Sequence, residues 1–231
     1  MKTGTILYEG PSTLDGNPIV VIATFRSKNR KTGDMIQTWV MRSDMSPVEA
    51  IHAKADASVC GGCPHRTSIG GGCYVEVGRA PQAVWKAYKR GSYPRLDGYK
   101  EFAGRKLRMG AYGDPAAVPV EVWDTLLPHC GGWTGYTHQR NQPEVLKWVM
   151  VSTDTPAQTK AHNAKGHRTF RVKTADQPLL KGEIECPADS RGMTCTECGL
   201  CAGQGQPGPS IAINVHGSLA GRYLKKYGRA A

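Results

Sequence analysis

Residues 106–114 read KLRMGAYGD, an apolar run of strand length that closes on a glycine and a carboxylate. The same form returns as GWTGYTH at 132–138, KWVMVSTD at 147–154, HRTFRV at 167–172, GEIEC at 182–186 and IAINVHG at 211–217. Between several of these runs stand PVEVWDTLL (119–127), PEVLKWV (143–149) and TPAQTKAHNAKG (155–166), which have helical character. Strands alternating with helices of this size imply βαβ units and a parallel sheet. The expected fold class is therefore α/β, as a parallel-stranded partial (β/α) barrel or an open sheet with cysteine-rich loops.

Upstream the pattern differs. GTILYEG (4–10) and PIVVIATF (18–25) are separated by the turn-rich PSTLDGN, and RSKNRKTGDMIQ offers a second turn at Thr32–Asp34 before TWVMRSD. This predicts an N-terminal antiparallel β meander. Ser46-Pro47-Val48-Glu49 carries an N-cap serine, a first-turn proline and a glutamate placed to cap back, so a helix is expected from there toward Ala57. A second helix is expected near 80–91. The expected organisation is a meander over 1–36 packed on the core, an α/β domain over 37–217 and a basic tail over 218–231.

The ends of the strands hold the polar chemistry. Asp114, His138, Asp154, Arg171, Cys186 and His216 stand at or just past the last apolar residue of a predicted strand. In parallel α/β folds ligands bind at that rim. Asp114, His138, Asp154 and His216 are accordingly candidates for positioning a substrate, while the bland alternative is that loops after strands are polar because they are wet.

Seven of the eight cysteines fall in two loops. Cys195, Cys198 and Cys201 form C-x2-C-x2-C, and Cys186 lies upstream in a Cys-Pro pair, so four thiols are available within one loop. That spacing matches loops that wrap a cubane of iron and sulfide. Cys60, Cys63 and Cys73 form C-x2-C-x9-C with glycines on either side, and supply three ligands. A fourth would come from His65, from Cys130 or from the later loop, unless the site keeps one iron open. Cys130, alone at the end of a helical segment, has the alternative of being a small buried hydrophobe. The expected cofactor is one or two iron–sulfur clusters, [4Fe-4S] by preference. Zinc is the rival metal, disfavoured because three cysteines at two-residue intervals crowd one tetrahedral ion.

The chain has 231 residues with 30 Lys and Arg against 19 Asp and Glu, a formal charge of +11. Such an excess suits a polyanionic partner. Basic residues are mixed with tyrosines in SLAGRYLKKYGRAA, where Arg222, Lys225, Lys226 and Arg229 stand close together, and RSKNRK adds Arg26, Lys28, Arg30 and Lys31. These are the candidate nucleic-acid contacts. The alternatives are a solvated terminal helix that packs its tyrosines on the core and a basic surface that keeps the protein soluble. No secretion signal or bilayer-length apolar run is present, so a cytoplasmic protein with reduced thiols and no membrane contact is expected. Neither a G-x4-G-K-[ST] loop nor a G-x-G-x-x-G that opens a helix after a strand occurs.

Taken together, LRMGAYGDPAAVPVEVW, TGYTHQ, VMVSTDT, GHRTFRV and CPADSRGMTCTECGLC, with CGGCPHR and GGCYV, resemble a family of cysteine-rich iron–sulfur proteins encoded by tailed bacteriophages, over about residues 37–217. The resemblance implies a cluster cofactor and the host cytoplasm. A more distant similarity is to the partial barrels of radical S-adenosylmethionine enzymes. Those carry C-x3-C-x2-C after their first strand, where this chain has C-x2-C-x9-C one helix later. Three functional readings follow: a phage iron–sulfur protein acting on or near nucleic acid, a radical or redox enzyme with its cluster at the strand rim, and a zinc-stabilised module that binds a host protein.

Overall fold

The computed structural model describes residues 2–228. The chain opens with β1 (Gly4–Pro11), β2 (Pro18–Thr24) and β3 (Ile36–Arg42), paired antiparallel as a meander. Ile19–Ala23 of β2 are wholly inaccessible. A strand buried on both faces reads as a continuous apolar run, which is what PIVVIAT does.

Helix α1 (Pro47–His52) begins with the expected capping box: Ser46 N donates to Glu49 Oε2 at 2.8 Å, and Glu49 N donates to the Ser46 hydroxyl. It does not run on toward Ala57. Lys54 adopts φ +58°, the one non-glycine residue with positive φ among those described, and this breaks the helix. The short α2 (Ala57–Cys60) resumes beyond it and delivers the first cysteine. Next come α3 (Ala80–Lys89), β4 (Lys106–Tyr112), α4 (Val120–Leu126), β5 (Gly132–Thr134) and β6 (Tyr136–Thr137). They are followed by α5 (Pro143–Leu146), β7 (Met150–Thr153), α6 (Pro156–Asn163), β8 (Thr169–Lys173), β9 (Glu183–Glu185), α7 (Pro187–Ser190), α8 (Cys195–Cys198), β10 (Ser210–Asn214) and α9 (Ala220–Tyr227).

Two five-stranded sheets result, in the orders β1-β2-β3-β4-β5 and β6-β7-β8-β10-β9. Every pairing from β3 onward is parallel, in agreement with the strand–helix alternation. The sheets meet at Gly135, which alone separates β5 from β6; its N–H donates to the Cys201 carbonyl at 2.8 Å and its carbonyl accepts from Met150 N at 3.0 Å. A Cβ at Gly135 would come within 2.9 Å of Met109 Cβ and Val149 Cγ1, so the close approach of neighbouring strands requires glycine there. The array is an open α/β sheet with the meander at one edge. At the other, β10 is inserted between β8 and β9.

Side chains alternate across the parallel strands, and one face belongs to the core. Leu107 and Met109 of β4 pack into it with Trp123, Leu126 and Leu127. The opposite face presents Arg108, Gly110 and Tyr112 from β4, Tyr136 from β6, Phe170 and Val172 from β8, and Ile211 and Ile213 from β10 to a single cavity. Arg171 therefore does not join the rim as expected. It points away from the cavity, wholly buried, and its Nε and Nη2 form a bidentate pair with Glu183 at 2.7 and 2.6 Å. Alternation along β8, which sends Phe170 and Val172 into the cavity, sends Arg171 to the other side.

Candidate functional site

The cavity has a volume of about 390 Å³ and lies between this sheet face and the two cysteine loops. All seven loop cysteines line it. None is in a disulfide. Cys130 lies elsewhere, half-buried against the core, with its Sγ 3.7 Å from the Leu126 carbonyl, as the small-hydrophobe alternative has it. Burial pushes its thiol up to about 11.

The first loop is shaped by buried anchors. Asp56, at the start of α2, accepts from Arg66 Nη1 at 2.9 Å and from the Ser68 hydroxyl. His65, inside the loop, accepts the Cys73 N–H at its carbonyl (2.9 Å), and its Nε2 lies 2.6 Å from Asp154 Oδ1. His138 Nε2 stands 3.3 Å from the same oxygen, and Arg140 donates to Oδ2 at 3.0 Å. His65, His138 and Asp154 form a group of potential ligand atoms all within 4.8 Å of one another, and no group of three that includes a cysteine does so among the described residues. Burial alone would raise the Asp154 carboxyl, but hydrogen bonds from His138 and His65, with their charge, hold it well below the usual carboxylate range. Burial pushes the thiols of Cys60, Cys63 and Cys73 up, and for Cys60 and Cys63 neighbouring thiols of the loop add to this.

The second loop is held from two sides. Cys195 N donates to the Lys31 carbonyl at 2.9 Å and the Thr196 hydroxyl to the Thr32 carbonyl at 2.7 Å, while Lys31 Nζ pairs with Asp189. The turn after β2 thus serves as a support for α8. On the far side Arg168 donates to the carbonyls of Leu200, Gly203, Gln206 and Pro209. Its fork closes a stretch of chain that has no ladder of its own. Burial pushes Cys186, Cys195 and Cys201 up, and for Cys201 the other three thiols of the loop contribute.

Between the loops stands a trio that the sequence reading did not single out. Arg108 Nη2 donates to the Tyr74 hydroxyl and lies 3.5 Å from that of Tyr136, and the two phenol oxygens are 3.0 Å apart. Tyr74 follows Cys73 directly, while Tyr136 follows Gly135, which bonds the Cys201 carbonyl. The available signal was Arg108 itself, a cation alternating with Leu107 and Met109 inside a strand.

The remaining candidates separate. Asp114 lines the cavity, but its carboxylate already accepts from Thr137 Oγ1 (2.6 Å), His138 N (3.0 Å), Ala116 N (3.0 Å) and Gln139 Nε2 (3.3 Å), so it organises the turn after β6. His216 is exposed beside Tyr74, with ring centroids 5.5 Å apart. Lys31 is engaged with Asp189, and Arg26, Lys28 and Arg30 are exposed on the same turn. On α9, Tyr223 is buried and donates to the Val172 carbonyl at 2.8 Å, so the tail helix packs a tyrosine on the core. Arg222, Lys225 and Lys226 stay exposed around a small cleft walled by Gly70–Gly72. Arg229 lies outside the described residues.

No protein-family model, no curated protein and no solved structure matches the chain. Among the described residues no helix is long and apolar enough to cross a membrane.

Proposed function

We propose that the chain is an iron–sulfur protein whose two cysteine loops hold [4Fe-4S] clusters toward one shared chamber, and that it works there as a redox enzyme. The observation that carries this reading is the convergence of seven unbridged cysteines, from loops more than a hundred positions apart, on one cavity. Cys60, Cys63 and Cys73 would hold one cluster; Cys186, Cys195, Cys198 and Cys201 would hold the other. The donor sets fit thiolate ligation, and the clusters would supply one-electron chemistry. A single zinc ion draws its thiolates to about 3.8 Å from one another, from Zn–S bonds near 2.3 Å. Among the described residues no three thiols lie within 4.8 Å of one another, so a ligand set for one such ion is not preformed. Resemblance to the phage family points the same way and suggests the host cytoplasm.

A second role, binding nucleic acid, is supported by Arg222, Lys225 and Lys226 standing exposed along α9 beside the first cysteine loop. Binding of a single-stranded oligonucleotide that weakens with salt, with a slope reduced by about 0.7 for each of these cations removed, is expected. Absence of any salt-dependent binding would end that second role.

The deciding experiment for the cofactor is purification without oxygen, followed by quantitation of iron, zinc and acid-labile sulfide. Iron and sulfide in comparable amounts are expected. Zinc with neither would replace this reading by the zinc-stabilised module.

A further inference from the structure

His138 and Asp154 are the first residues past two neighbouring parallel strands, β6 and β7, whose pairing sets Thr137 beside Val151. Both therefore stand at the rim where parallel α/β sheets bind ligands. The first cysteine loop brings His65 to the same spot. Nε2 of His65 and Nε2 of His138 approach one oxygen, Asp154 Oδ1, to 2.6 and 3.3 Å, and the ligand atoms of the three residues lie within 4.8 Å of one another. Donor atoms on one transition-metal ion, at bonds of about 2.0–2.2 Å, stand about 3.0–3.5 Å apart. The two imidazole centroids are 5.3 Å apart, and rings that share an ion through Nε2 have centroids about 5 Å apart from the same bond lengths.

Arg140 donates to Asp154 Oδ2 at 3.0 Å, so the carboxylate is fixed through one oxygen and presents the other to both rings. Carboxylates that ligate a metal are commonly held by such an outer hydrogen bond. The Arg140 charge is offset by Asp114, whose carboxylate accepts the His138 N–H at 3.0 Å and takes its other hydrogen bonds from neutral groups. The side chains of Asp154, His65 and His138 are only 2%, 11% and 15% exposed, and both histidines line the chamber. We infer that His65, His138 and Asp154 bind one divalent transition-metal ion at the wall of the chamber, apart from the cysteines. Two imidazoles and a carboxylate suit zinc or ferrous iron, and three protein ligands leave positions open to a small molecule. No thiol takes part, so the inference goes beyond the iron–sulfur reading and does not depend on it.

The test starts from anaerobically purified protein. Zinc, and iron in excess of acid-labile sulfide, are counted first; a chelator then removes the loosely held ion, and Mn²⁺ is titrated with the free ion followed by electron paramagnetic resonance. Mn²⁺ favours nitrogen and oxygen donors over thiolate, so the cysteines compete little. Wild type is expected to hold one such ion per chain, as isolated or after titration, with imidazole nitrogen coupled to bound Mn²⁺ in pulsed resonance. His138→Gln separates ligation from hydrogen bonding, since its amide can still donate to Asp154 Oδ1 while the imidazole is gone. It should bind at least roughly tenfold more weakly, as should Asp154→Asn. Near-ultraviolet circular dichroism checks the fold of both. No ion in wild type by either route, bound Mn²⁺ without nitrogen coupling, or equal binding by a folded His138→Gln overturns the inference and leaves the three side chains a hydrogen-bonded anchor. Should neither variant fold, coupling that changes in ¹⁵N-histidine-labelled wild type upholds it and unchanged coupling overturns it. One ion per chain in protein without iron and sulfide leaves this inference standing and removes the iron–sulfur reading. Iron and sulfide with no further ion does the reverse.

Discussion

His65 Nε2 lies 2.6 Å from Asp154 Oδ1 across 89 positions of sequence, and through this contact the first cysteine loop is fastened to the end of β7. Both side chains are buried, Asp154 to 2% exposure, so the bond competes little with water. A buried hydrogen bond to a charged group contributes about 1.5–3 kcal/mol. His65→Ala should therefore lower the thermal midpoint and free the loop. In protein stripped of metal, alkylation of Cys60, Cys63 and Cys73 is expected to speed up, with Cys186, Cys195, Cys198 and Cys201 unchanged. Mass spectrometry of the alkylated peptides separates the two sets, and equal acceleration of both would show that His65 supports the whole fold.

Acid should expose the same network. Burial opposes ionisation of Asp154, yet the hydrogen bonds from His138 and His65 prevail and keep its pKa depressed. A carboxylate whose pKa is lower folded than unfolded stabilises the fold above its unfolded value of about 3.9, and that contribution is lost as pH falls below it toward the folded value. Denaturant unfolding of the metal-free protein should thus give a free energy that drops from about pH 5 downward. Asp154→Asn is expected to start lower at neutral pH and to fall less steeply across that window. An unchanged slope would place the acid sensitivity in other carboxylates.

The parallel sheet was legible because its strands sit in separate apolar runs, most of them parted by a helix and closed by a polar residue. Gly135, which lets β5 pass into β6, left no comparable trace. The cysteine loops were legible as spacing, but their convergence was not, since nothing local to residues 60–73 points to residues 186–201. Arg171 shows the limit of reading strand ends: the run HRTFRV ends near it, while the strand continues to Lys173, and alternation turns its side chain from the rim. Likewise Asp154 was found as a rim residue, but its partners come from two separate segments, His65 from the first cysteine loop and His138 and Arg140 from the turn after β6, that only the fold brings together.

The Arg171–Glu183 pair bridges β8 and β9 across β10, which sets Ala212 beside Arg171 and Ser210 beside Glu183. Both are wholly buried. Removing one member leaves the other charged and unpaired, which costs about 3–5 kcal/mol. Arg171→Met and Glu183→Leu are each expected to destabilise by that order in chemical denaturation, and the double replacement by much less. If the double variant were as unstable as the sum of the singles, the pair would be acting as two independent packing elements.

Arg168 and Gly203 close the second cysteine loop from opposite directions. Arg168 binds four of its carbonyls, and Gly203, at φ +81°, lies so close to the Trp148 backbone that a Cβ there would overlap it. The loop therefore keeps its course through one cation and one absent side chain. Arg168→Ala removes several charge-assisted bonds and leaves the carbonyls to find water, at a cost on the order of a few kcal/mol. Gly203→Ala adds steric overlap and left-handed strain while leaving every thiol in place. Both variants are expected to speed alkylation of Cys195, Cys198 and Cys201 in the metal-free protein and to leave Cys60, Cys63 and Cys73 as in wild type. Cys130→Ala serves as the control, with no effect on either set. Should Gly203→Ala leave the second set as protected as before, the loop would be held by the turn at Lys31 and Thr32 alone, and Arg168 would be a packing residue.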